Sequence, residues 1–255
     1  MKNIFYLFTT AMILTAVISA CNNSKDNSPK DLEKKESNET PKPEASLREK
    51  VMSADDQKAM TPDMVIQNLK EGNQRYMSNK LTANDYIGMM HSSTHGQYPE
   101  AFILSCIDSR VPVEEIFDKT IGDLFVGRVA GNIVDEDELG SMEYGCKISG
   151  AKLIVVLGHE SCGAVKGALE NEKLGNVTAL LARIKPAMEK SKDFAGEKNV
   201  ENPAYVEYVV KNNVKNSIEN IQLKSPVLKE MVNKGEIKIV GAYYNFATGE
   251  VSFLQ

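Results

Sequence analysis

Three side chains able to hold a metal follow two short apolar runs. Cys106 comes directly after Ala101 to Ser105, and His159 with Cys162 after Leu153 to Leu157. Runs of this length and composition make fully buried strands. In an open parallel sheet the crevice beyond the carboxyl ends of the strands is where ligands bind, so the two motifs can converge on one point. Thiol, imidazole and thiol form a zinc set, and three protein ligands leave a fourth position for water, as catalytic zinc sites do. Two thiolates and a neutral imidazole cancel the charge of the dication. Asp108 and Arg110 add a carboxylate whose ionised form the guanidinium favours, a pair able to orient a hydroxide at that fourth position. If the chain stays extended past its strand, Cys106, Asp108 and Arg110 face the same way. His159 and Cys162, three apart, would share one face of an opening helical turn.

The elements around these motifs alternate between strand and helix. Thr61 and Pro62 have the form of an N-cap and first helical residue, with Met64, Ile66, Leu69 and Tyr76 as the apolar face. His91 and His95 could share a helix face, but no third ligand stands near and they read as surface or core residues. Pro112 opens a short helix whose Glu114 and Glu115 complement the dipole, Gly131-Asn132 marks a turn, and Ser141 to Ile148 reads as helix. Cys146 has no partner at metal spacing and reads as a small buried residue. Cys162-Gly163-Ala164 enters a helix pointing at the metal, with Gly163 allowing close approach. Asp193 to Pro203 is a polar loop. Tyr205, Val209, Val210, Val214, Ile218 and Ile221 form an amphipathic helix, and Ile237 to Tyr244 with Val251 to Leu254 a terminal hairpin. The fold class expected is α/β, a mainly parallel sheet with an antiparallel edge strand, flanked by helices.

The amino-terminal fifth is different. Residues 1–20 carry Lys2, an apolar stretch and Ile18-Ser19-Ala20 before Cys21. They read as a secretory signal, since the apolar portion falls short of the ~20 residues a membrane span needs. The end resembles a bacterial lipoprotein signal, which implies that Cys21 is the acylated first residue of an exported, lipid-anchored protein on the periplasmic or cell-surface side; an ordinary signal cut after Ala20, with Cys21 incidental, stays open. Residues 21–50, rich in Asn, Ser, Lys, Glu and Pro, read as a solvated tether, and 51–255 as one catalytic domain. The net charge of −5 and the lack of a basic block argue against nucleic acid as a partner.

The stretches CIDSRVP (106–112), FVGRVAGNIV (125–134), SMEYG (141–145), GHESCGAV (158–165) and GAYYNFATGEVSFL (241–254) together resemble a β-class carbonic anhydrase. That resemblance implies one zinc per chain on Cys106, His159 and Cys162, and reversible hydration of carbon dioxide to bicarbonate and a proton. Zinc would bring its water from a pKa of ~15.7 toward ~7, as in the α-class enzymes. It further implies that Asp108, fixed by Arg110, accepts the hydroxide's proton; that Gln97, Phe125, Tyr144 and Gly163 bind substrate; and that the protein is a homodimer or higher multiple. Arg128 is left open between holding a neighbouring group and a plain surface charge. Val129 stands where the family commonly has Asn. Three other readings stay open: a zinc hydrolase of carbonyl sulfide or carbon disulfide on the same fold, a non-catalytic zinc-stabilised lipoprotein, and a Cys106–Cys162 disulfide formed after export.

Overall fold

The computed structural model describes residues 47–254. The signal-like segment, Cys21 and most of the tether lie outside the described residues. Five strands, β1 (Ala101–Ser105), β2 (Leu124–Arg128), β3 (Leu153–His159), β4 (Lys238–Tyr244) and β5 (Val251–Phe253), form one sheet in the order β2-β1-β3-β4-β5. The first four are parallel, and β5 runs antiparallel to β4 at the edge.

Every residue of β1 and β3 is buried, and the pleat divides their side chains between two layers. Ala101, Ile103, Leu153, Val155 and Leu157 pack with Val65, Leu69 and Phe117 on one face. Phe102, Leu104, Ile154 and Val156 pack with Val214, Ile221, Leu228 and Met231 on the other. Helices therefore cover both faces, which leaves the carboxyl ends of the strands as the open place for a site.

The helix Pro62–Met77 is capped by Thr61, whose hydroxyl accepts from the Met64 amide. Its buried residues are Val65, Leu69, Gly72 and Asn73, and of the expected face Leu69 is buried and Ile66 and Tyr76 pack against the core, while Met64 is half exposed. Gly72 sets how close the helix comes to the loop beside it. A Cβ there would lie 1.9 Å from the Phe117 carbonyl oxygen, so only glycine lets the helix approach that loop. The expected helix over Ser141 to Ile148 starts earlier, at Glu136, and from Tyr144 to Ile148 widens into a π turn. The long helix Pro203–Lys224 follows its expected apolar spacing, with Tyr205, Val209, Val210, Val214 and Ile221 buried and Ile218 partly so. Among the described residues, no helix is long and apolar enough to cross a membrane.

Folded contacts reach back to Arg48. Its guanidinium grips Asp123 in a two-pronged pair at 2.8 and 2.6 Å, and Asp123 is almost fully buried ahead of β2. Removing one partner of a buried pair leaves an uncompensated charge. Arg48→Ala should cost about 2–3 kcal/mol, somewhat less than a fully buried pair because Arg48 is partly exposed. A lower urea midpoint at unchanged slope would register that loss, and an unchanged midpoint would refute it.

Candidate metal centre

β1 and β3 are adjacent and in register, so the residues that follow or end them meet at one edge of the sheet. The Sγ atoms of Cys106 and Cys162 and a ring nitrogen of His159 lie within 4.8 Å of one another, and all three residues are buried. His159 is the last residue of β3. The chain then reverses through Ser161, which takes a left-handed φ of 51°, and Cys162 becomes the N-cap of the helix Gly163–Leu169. The expected helical relation between His159 and Cys162 is thus replaced by a tight turn. It reaches the same convergence by another route.

The donor set suits zinc on the atoms themselves. His159 Nδ1 is 2.9 Å from the Glu160 carbonyl oxygen. A carbonyl only accepts, so Nδ1 carries the proton and Nε2 presents its lone pair. Nε2 is buried without a hydrogen-bond partner, as a ligand nitrogen awaiting a metal would be. The Gly131 amide donates to Cys106 Sγ at 3.3 Å. The turn that places it is held by Asn213 on the Gly131 carbonyl and Ser217 on that of Asn132. Gly131 itself has φ 70°. The two thiols act on each other: the neighbouring Cys162 thiol draws Cys106 well below the ordinary thiol range, and the neighbouring Cys106, with burial, pushes Cys162 up. The amides of Ala164 and Val165 oppose that rise and favour the Cys162 thiolate. Cys106, Cys146 and Cys162 are all free thiols, with no Cys106–Cys162 bridge.

Asp108 and Arg110 pair as expected but not through an extended chain. The Arg110 amide donates to Asp108 Oδ1 at 3.0 Å, an Asx-type turn, and the Val111 amide closes onto the Asp108 carbonyl at 3.1 Å. The turn folds Arg110 back, and its Nε and Nη2 reach the two carboxylate oxygens at 2.9 and 2.7 Å. This hydrogen-bonded guanidinium holds the Asp108 carboxyl at about 2. Asp108 Oδ2 lies 3.9 Å from His159 Nε2, beside the ligand cluster.

Arg128 ends β2 and settles its open role here. Its Nε donates to the Cys106 carbonyl at 2.9 Å and its Nη2 to the Asp108 carbonyl at 2.6 Å, pinning the segment that carries a ligand and the carboxylate. Val129 packs among apolar residues while its amide donates to the Ser105 carbonyl. Arg128→Ala should lower turnover roughly tenfold by loosening that segment, since small displacements at a reacting centre are costly. Zinc content should fall less than turnover, and metal analysis beside the kinetics checks this.

The remaining site expectations divide. Gly163 is exposed next to Cys162, but a Cβ there would meet nothing within 4 Å, so, against the expectation of a close approach, no neighbour requires glycine at this position. An apolar cavity of about 370 Å³ continues from Gly163 and Ala130 to Leu174, Val177 and Leu181. Gln97 is exposed and precedes β1, at the opposite end of the strand from Cys106. Phe125 lies opposite Phe102, three residues before Ser105, and stacks edge-on with Tyr144 beside a separate cavity of about 610 Å³. One chain therefore does not bring Gln97, Phe125 or Tyr144 to its own thiols. His91 and His95 are exposed, and Cys146 is buried with its thiol pushed up to about 12 by desolvation. Two residues escaped the sequence reading. Glu160 fixes the His159 ring through its carbonyl, and Phe246, from the β4–β5 turn, packs on that ring with centroids 5.3 Å apart. The only sequence signal was their place in the quoted GHESCGAV and GAYYNFATGEVSFL stretches.

A mainly parallel sheet that gathers two thiols and an imidazole at its strand ends, with a carboxylate–guanidinium pair beside them, defines an α/β protein with a group able to hold a metal ion. The carbonic anhydrase family model matches residues 101–251. The chain is 35% identical over 189 residues to a carbonic anhydrase of Mycolicibacterium smegmatis, covering 72% of this chain and 88% of that protein. It is 34% identical over 187 residues to carbonic anhydrase 2 of Mycobacterium tuberculosis, covering 71% and 87%. Among solved structures, the β-carbonic anhydrase CcaA superimposes with a TM-score of 0.59 at 27% identity, over 75% of this chain and 90% of that one. Tetrameric β-carbonic anhydrases from Sordaria macrospora share the fold, with a TM-score of 0.59 at 24% identity over 75% and 94%. The chain belongs to the carbonic anhydrase family, in its β class. These relatives favour neither the carbonyl sulfide or carbon disulfide hydrolase nor the non-catalytic reading.

Proposed function

We propose that this protein is a zinc carbonic anhydrase that interconverts carbon dioxide and bicarbonate. The observation that carries the reading is the buried triad with the unpartnered His159 Nε2, set beside an Asp108 carboxylate already gripped by Arg110. Cys106, His159 and Cys162 would hold one zinc, and zinc when bound supplies a water acidic enough to serve as a nucleophile near neutral pH. Glu160 keeps the His159 ring in the tautomer that offers Nε2. Asp108, kept ionised by Arg110, is an acceptor only, and orients a hydroxyl beside the cluster so that a lone pair faces the substrate. The apolar space beyond Gly163 suits a small substrate without net charge.

Gln97, Phe125 and Tyr144 serve this chemistry from a second copy, each chain completing its neighbour's site. Support comes from their distance from their own chain's thiols, and from Tyr86, Ile87, Met90, Ile107 and Tyr144, which expose large apolar side chains of the kind interfaces cover. The Sordaria macrospora relatives are tetramers by description. Export and acylation at Cys21 complete the proposal, supported by the residues before Cys21. Mass spectrometry of the mature amino terminus tests that part, and an unmodified Met1 would end it.

Stopped-flow carbon dioxide hydration with zinc determined on the same sample tests the activity. Fast hydration with about one zinc per chain is the expected result. A zinc-loaded protein without hydration would overturn the reading.

A further inference from the structure

The Asp108–Arg110 pair has a weakness that its surroundings correct. Arg110 is largely exposed, and its side chain carries several rotatable bonds, so the ion pair with Asp108 alone would hold it only loosely. The guanidinium carbon lies 4.3 Å from the centroid of the Phe246 ring, within cation–π distance. The ring is fixed in turn. Tyr244 meets it edge-on at 5.5 Å with the planes perpendicular, and the Tyr244 hydroxyl is 3.1 Å from that of Tyr76 on the Pro62–Met77 helix. The Phe246 amide donates to Glu160 Oε2 at 2.9 Å, while the Glu160 amide donates to the Tyr244 carbonyl at 2.9 Å. The turn that bears Phe246 is closed by Asn245, which accepts from the Thr248 amide and whose carbonyl accepts from Gly249.

We propose that Phe246 is a positioning residue for the reaction: its ring is the platform that holds Arg110 in the rotamer gripping Asp108. This rests on the carbonic anhydrase reading of the site. Phe246 touches no reacting atom in this role and acts through Arg110. It also explains why Glu160, next in sequence to a ligand, spends its carboxylate on the β4–β5 turn. The same residue orients the His159 ring by its carbonyl and locks the platform by its side chain, so ligand and carboxylate are set from one piece of backbone.

Phe246→Leu keeps apolar bulk and removes the π face, and Phe246→Tyr restores the face. Both should be compared with wild type in the full zinc-loaded protein and in an Arg110→Ala background. Phe246→Leu should retain about one zinc per chain and lose roughly three- to tenfold in kcat/KM, the size of one cation–π contact. Phe246→Tyr should recover the wild-type value. In the Arg110→Ala background Phe246→Leu should cause no further loss. A second readout needs no turnover: exchange of the Arg110 Nε–H with water, followed by NMR on the metal-free protein, should quicken by a similar factor in Phe246→Leu. The proposal is overturned by unchanged exchange, by an equal loss of kcat/KM in the Arg110→Ala background, or by a loss that follows falling zinc content and so traces to His159. If wild type carries zinc and does not hydrate carbon dioxide, the functional reading fails while the exchange measurement still decides the platform.

Discussion

Replacing Asp108 by Ala should lower kcat/KM for carbon dioxide hydration by roughly 10²–10³-fold, the loss typical of deleting one preorganised polar group at a reacting centre. Zinc content should remain at about one per chain, because Asp108 is beside the ligand set and not part of it. With the carboxylate removed the Arg110 amide loses its acceptor, but Arg128 still holds the carbonyls of residues 106 and 108. The pH dependence makes the assignment sharper. Arg110 depresses the Asp108 carboxyl to about 2 from an ordinary 3.8. For a depressed carboxylate, the stabilisation from its partner is fully present above the ordinary value and is lost as pH falls through the folded one. Between pH 5 and 9 Asp108 therefore keeps its charge, and the Asp108→Ala deficit should be nearly independent of pH there as far as the carboxylate's own ionisation sets it. A deficit that vanished toward pH 5 would mean that Asp108 loses its proton-accepting form in that range, against this assignment. Zinc lost together with activity would make the residue structural.

The chemistry of this chain was more legible than its local geometry. Cys106, His159 and Cys162 could be placed together because each stands at the end of a wholly apolar run, and parallel strands bring such ends to one edge. The conformations that join them were misjudged. The Asp108–Arg110 turn depends on an amide bonded to the Asp108 side chain and the reversal through Ser161 on a left-handed residue, neither of which leaves a periodic trace. The face of the Pro62–Met77 helix was legible in Ile66, Leu69 and Tyr76 but not in Met64, which is half exposed, and the close approach of Gly72 to the Phe117 carbonyl has no hydrophobic signal. Phe246 was out of reach altogether. It meets Arg110 from well over a hundred residues away, only because β4 lies beside β3 and its turn overhangs the end of β1's loop. Gln97, Phe125 and Tyr144 were named through resemblance, and no spacing rule could have said that a single chain keeps them from its own thiols.

Cys162→Ala should abolish metal binding and reduce hydration to background, with zinc below about one-tenth per chain, since two remaining ligands cannot supply a stable zinc site. The fold should survive. Cys162 is small, and its loss should cost only about 1–2 kcal/mol in a core otherwise intact, so a cooperative urea transition is expected. The more telling change is at Cys106. Its lowered pKa in the metal-free protein comes first from the neighbouring Cys162 thiol, and with it from His159 and the Gly131 and Asp108 amides. Taking away that thiol should raise Cys106 toward ordinary thiol values, because desolvation by burial then opposes the anion with less compensation. At pH 6 the metal-free wild type should be alkylated by iodoacetamide faster at Cys106 than metal-free Cys162→Ala. Cys146, with its thiol pushed up to about 12, should stay silent in both and serve as an internal control. Because burial and the neighbouring Cys106 push the Cys162 thiol up, zinc uptake by wild type should release a proton from it, so that chelators strip the metal more readily as pH falls. Equal alkylation of Cys106 in the two proteins would show that the Cys162 thiol does not favour the Cys106 thiolate, and retention of zinc by Cys162→Ala would remove Cys162 from the ligand set.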